Sequence, residues 1–165
     1  MEASILTSWI QYNTQTETFP IQNIPFGVCK LSENKFACCT RISNKVINLH
    51  TLETSNLLNS DYFKFDEKNQ IFNQRNLNSF IEFGRKTWKA IRLSVQNIFS
   101  NKDFEKNEQV LSSILDISNV EMMLPVRVGD YTDFYSSKNH AFNMGAIIRG
   151  PENALQPNWV HLPVG

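Results

Sequence analysis

"FGVCKLSENKFACCTRISNKVINL", residues 26–49, is the stretch whose reading decides the fold. Its β-branched, aromatic and cysteine residues are interrupted twice by polar turn clusters, "SENK" and "SNK", which predicts strand, hairpin, strand, turn, strand. Short strands joined by tight turns imply a small antiparallel sheet or barrel. Upstream, Pro20 and Pro25 favour extended or turn backbone and should hold a lead-in segment against that sheet.

Downstream the period changes. From Asn76 to Ser100, apolar residues fall at Leu77, Phe80, Ile81, Gly84, Trp88, Ile91, Val95 and Ile98, the spacing of one helical face. Asn76 is one candidate N-cap, and Ser79 with Glu82 forms an alternative capping box. Arg85, Lys86, Lys89 and Arg92 read as the solvated face of this helix. A second helix is expected in "KDFEKNEQVLSSIL", with Asp103 near its start and Val110, Leu111 and Ile114 on its apolar side. "VEMMLPVRVGD" then reads as a strand broken at Pro125, and a domain boundary is expected near it. Residues 141–165, rich in Gly, Pro and aromatic side chains, show no helical period. The fold expected is mixed, mainly β with two helices: a small N-terminal β-barrel-like domain over residues 1–120, then the start of a mainly β second domain over 121–165.

Lys+Arg and Asp+Glu both number 16, so no global field collects nucleic acid or an anionic membrane surface. With 41% hydrophobic residues, 12 Phe and 3 Trp, the chain can fill a core. Neither a signal peptide nor a membrane span is legible, and Cys29, Cys38 and Cys39 lack the spacing of a metal site. Buried thiols in a reducing, cytosolic compartment are expected. The chain stops on the apolar run "WVHLPVG", where a natural terminus would fray through polar residues, and this end reads as a cut.

One segment could carry chemistry: "DYTDFYSSKNH", residues 130–140. On an extended backbone Asp133 and Tyr135 would share a side, and a lone carboxylate suits a hard cation that needs several more oxygens. His140 is either a general base near neutrality or a half-buried imidazole satisfied by backbone groups. Arg149 could fork onto a carboxylate of a ligand or of the protein itself. His50 and His161 read as structural or surface residues. No GxSxG, P-loop, GxGxxG or HExxH spacing is present.

Residues 130–165, "DYTDFYSSKNHAFNMGAIIRGPENALQPNWVHLPVG", closely resemble the start of the catalytic domain of the fumarylacetoacetase family. "FPIQNIPFGV" (19–28) resembles the family's N-terminal entry, and "FNQRNLNSFIEFGRKTWKAIR" (72–92) its helical segment. The resemblance covers essentially the whole chain. It implies a homodimeric, Ca²⁺- or Mg²⁺-dependent hydrolase that cleaves the carbon–carbon bond of 4-fumarylacetoacetate into fumarate and acetoacetate. It also implies Asp133 as a metal-ligating carboxylate, His140 as the proton acceptor that activates water, and Tyr135 and Arg149 as substrate-binding residues. Ile148 stands where many relatives carry Phe. The family's other metal carboxylates and the acid that orients the histidine are expected beyond Gly165, so this chain by itself should be inactive. The alternative is a non-catalytic N-terminal interaction module.

Overall fold

The computed structural model describes residues 6–58, 60–64, 66–68 and 70–161. The first five residues of the N-terminus and the last four of the terminal apolar run lie outside them. The chain divides after Arg127 into two compact units.

In the first unit, β1 (Phe26–Ser32), β2 (Lys35–Ile42) and β3 (Lys45–Asn48) form the predicted meander. Two short strands, β4 (Ile114–Asp116) and β5 (Glu121–Met123), extend it to an all-antiparallel sheet in the order β4-β3-β2-β1-β5. The sheet is open, so it is barrel-like only loosely. β5 pairs with β1 within this unit, whose last residue is Arg127.

Register sorts the side chains onto two faces. Val28, Cys38, Ile42 and Ile47 enter the larger core with Leu49, Leu52, Phe72, Ile91, Val95 and Phe99, all at most 2% exposed. Cys29, Ala37, Cys39 and Val46 form a smaller cluster on the opposite face, covered by Leu31, Leu115, Ile117 and Val120. All three cysteines are free and buried, as expected. Burial pushes the Cys38 thiol up to about 12, so little reactive thiolate forms there near neutrality.

Five α-helices occur among the described residues, against two expected. The first, α1 (Leu49–Thr54), is capped by Asn48, whose side chain accepts from the His50 and Thr51 amides. The long helix predicted from Asn76 is two: α2 (Asn78–Glu82) and α3 (Gly84–Ser100). Gly84 breaks it with φ +76, a conformation that disfavours any side chain. The break resets the helical phase, which leaves Ile81 44% exposed although the unbroken pattern placed it in the core. The Asn76 side chain accepts the Asn78 amide at 3.1 Å, whereas the Ser79–Glu82 capping box does not form.

Arg92 also departs from expectation. Its guanidinium donates to the carbonyls of Ile24, at 3.1 Å, and Gln22, while Gln96 Nε2 donates to that of Ile21 at 3.0 Å. Thus the polar side of α3 holds the proline-flanked lead-in, and only part of that side is solvated. The second predicted helix is likewise cut short. Asn107 caps a five-residue helix α4 (Glu108–Ser112), and Ile114 belongs to β4.

At the edge of the sheet, Asp116 accepts from the Ser118 amide at 3.0 Å, the Ser118 hydroxyl at 2.7 Å and Lys45 Nζ at 3.0 Å. These bonds, the Ser118 amide first, hold its carboxyl well below the usual range. A depressed folded-state pKa contributes stability that is present above the unfolded value of about 3.9 and is lost as pH falls below it. Asp116→Ala should therefore flatten the fall of the urea midpoint between about pH 4 and pH 2; an unchanged slope would show that this carboxylate contributes nothing to acid stability.

Candidate active site

In the second unit, residues 128–137 carry no regular structure and lead into helix α5 (Lys138–Arg149). Ser137 starts the helix: its backbone is extended (φ −80, ψ 113) and its hydroxyl accepts from the His140 amide at 3.4 Å. The helix stops at Gly150, where φ is 84. Residues 141–149 thus correct the expectation of a stretch without helical period. Their buried face consists of Ala141 and Gly145, one turn apart, while Ile147 and Ile148 are 79% and 68% exposed. A helix seated through small residues leaves no stripe of large apolar ones to read.

The structure brings Tyr135 and His140 together. The Tyr135 ring meets the His140 ring edge to face, with centroids 5.4 Å apart at 78°. Tyr135 Oη lies 3.4 Å from the Ala141 carbonyl, and its own carbonyl accepts from Trp159 Nε1 at 2.9 Å. Tyr135 and Arg149 line one cavity of about 250 Å³ with Trp159, Gln156 and Asn158. Arg149 donates from Nε to the Asn153 carbonyl at 3.1 Å and from Nη2 to that of Ala154 at 2.9 Å. These bonds use two of its five N–H groups and fix the plane of the fork. His140 and Arg149 are nine residues apart on α5, about 13.5 Å along the axis and half a turn around it, so the helix alone does not converge them. His140 and Asp133 are exposed, and neither lines the cavity.

Asp133 supplies the hard oxygen donor that Ca²⁺ or Mg²⁺ prefers, but such an ion takes about six to eight oxygens. Among the described residues, no three His, Cys, Asp or Glu side chains come together to hold a metal. These residues by themselves do not make a divalent-cation site. His50 is structural, with Nδ1 3.4 Å from Glu53 Oε2, and His161 is exposed. Three contributors escaped the sequence reading: Ser137, Gly145 and Trp159. For the first a signal existed, since a serine three residues before a histidine that opens an apolar stretch is an N-cap pattern. The other two act through partners 9 and 24 residues away. No helix among the described residues is long and apolar enough to cross a membrane.

The second unit thus carries, on one capped helix, an exposed imidazole and a guanidinium oriented by two backbone carbonyls. The family described as Fumarylacetoacetase N-terminal matches residues 22–125. The chain is 44% identical over 169 residues to the fumarylacetoacetase of Dictyostelium discoideum, with 98% of this chain and 38% of the relative covered. To that of Arabidopsis thaliana it is 38% identical over 165 residues, covering 98% and 38%. For the human fumarylacetoacetase the identity is 36% over 151 residues, covering 89% and 35%. The chain belongs to the fumarylacetoacetase family. It spans a little over a third of the length of these curated relatives.

Proposed function

We propose that this chain is the N-terminal portion of a fumarylacetoacetase, a cytosolic homodimer that hydrolyses the carbon–carbon bond of 4-fumarylacetoacetate to fumarate and acetoacetate in tyrosine and phenylalanine breakdown. The observation that carries this reading is the 44% identity to a fumarylacetoacetase along 98% of the chain, a span that includes residues 130–161. Membership of the family agrees with it, as do three free, buried thiols with a reducing compartment.

In this reading His140 accepts a proton from the water that attacks a ketone carbon of the substrate. The carbon–carbon bond then breaks, its electron pair stays with the acetoacetate fragment, and a proton completes that product. An imidazole suits this task because its pKa lies near neutrality, and its exposure on the first turn of α5 admits water. Ser137 fixes the start of the turn that presents it. Arg149, its fork oriented by two carbonyls, pairs with a carboxylate of the substrate, and Tyr135 lies between the two functions, lining the same cavity as Arg149 and touching His140. Asp133 would contribute one carboxylate to a Ca²⁺ or Mg²⁺ ion, whose other oxygen ligands the described residues do not supply. A divalent ion so held would stabilise negative charge developing on oxygen.

The test is a chimera in which these residues replace the aligned portion of the Dictyostelium relative, assayed by loss of fumarylacetoacetate absorbance. The chimera should turn over, and His140→Ala should lower kcat by about 10²- to 10⁴-fold, the usual contribution of a general base. The 165-residue chain alone should show no turnover. A folded but inactive chimera, or a silent His140→Ala, would sink the reading.

A further inference from the structure

The turn after α5 approaches that helix more closely than a side chain would permit. A Cβ on Gly145 would lie 1.8 Å from the Ala154 carbonyl oxygen, 2.6 Å from its carbon and 2.8 Å from Arg149 Nη2. Real Cβ atoms do not come so near, so glycine is what lets the carbonyl and the guanidinium share this space. Gly145 has no positive φ to satisfy, which makes close approach the whole of its requirement. The same turn reaches back at its far end, where Trp159 Nε1 donates to the Tyr135 carbonyl at 2.9 Å, just ahead of the Ser137 cap. The Tyr135 ring meets that of His140. Residues 150–159 therefore tie down both ends of the site, Arg149 at one and the Tyr135–His140 pair at the other.

We propose that Gly145 and Trp159 are positioning residues: Gly145 admits the backbone seat that orients the Arg149 fork, and Trp159 holds Tyr135 against the His140 imidazole. What is positioned rests on the function proposed above; the bracket itself does not. The seat spares the guanidinium a search over rotamers when it meets a carboxylate, because a pre-organised fork loses less freedom per hydrogen bond formed. The indole donor acts on a backbone carbonyl, so phenylalanine at 159 keeps most of the bulk and removes only the tie.

Two measurements separate this role from a purely structural one. In the 165-residue protein, the imidazole signals of His140 are followed by NMR, with the backbone amides of residues 6–127 as a control for folding. Trp159→Phe should displace the His140 ring shifts while leaving the control amides in place. In the chimera, Gly145→Ala should raise KM about tenfold with a smaller change in kcat, matching Arg149→Lys; a fraction of unfolded enzyme would lower kcat and leave KM unchanged. If the chimera fails to turn over but the His140 signals still respond to Trp159→Phe, the proposed reaction falls and the bracket stands. If turnover depends on His140 while Trp159→Phe leaves those signals unmoved and Gly145→Ala leaves KM within twofold, the bracket is overturned and the reaction stands.

Discussion

Glu53→Ala is expected to lower the unfolding free energy by about 3–5 kcal/mol, the range for removing one partner from a buried, charged hydrogen-bond set. Glu53 is 1% exposed and sits in α1, yet its carboxylate serves residues far along the chain. It accepts from the Ile71 amide at 2.9 Å and the Phe72 amide at 3.2 Å, with His50 Nδ1 3.4 Å away. Alanine would strand two buried amides with no acceptor, and each would then carry the full cost of lost hydration. Glu53→Gln keeps one acceptor oxygen and should cost less, about 1–3 kcal/mol. Urea denaturation of the three proteins checks the order; a Glu53→Ala midpoint equal to that of wild type would show that another group takes over both amides.

Phe72→Ala should cost about 3–5 kcal/mol by a different route, the loss of a large buried ring and the cavity left behind. Phe72 is fully buried, with ring centroids 5.1 Å from Phe80 and 5.9 Å from Phe63, and its carbonyl accepts from the Cys38 amide at 2.9 Å. It thereby fastens an irregular segment between α1 and α2 to the central strand of the sheet. Because Glu53 holds the Phe72 amide, the two substitutions loosen the same segment, and the double variant should lose less than the sum of the singles. Strict additivity in denaturant would show the two anchors to be independent. Either loss is large beside the roughly 5–15 kcal/mol that stabilises a typical domain.

The meander was legible because its determinants are local. Alternation between the faces, together with Glu33–Asn34 and Ser43–Asn44 at the turns, suffices to predict three strands. Helix phase was less legible. Ile81 fits an unbroken helical pattern, and only the positive φ at Gly84 shows that the pattern restarts there. Helix α5 went unseen because periodicity methods weigh large apolar residues, whereas this helix buries Ala141 and Gly145 and exposes Ile147 and Ile148. Asn107 delayed the start of the second predicted helix to Glu108 through a cap the sequence does contain, and the helix ends at Ser112, before Ile114 enters β4.

By itself, the sequence determined the sheet meander, the burial of the cysteines and the absence of a strong charge field. All of these follow from residue type and short-range spacing. Only the tertiary structure decided the partners. Glu53 reaches amides 18 and 19 residues away, Arg92 reaches carbonyls 68 and 70 residues away, and Trp159 reaches Tyr135 across 24. Such pairings arise because every buried donor and acceptor must find a mate once the core excludes water, and which mate lies within hydrogen-bonding distance is set by the packed chain, which spacing along the sequence does not encode.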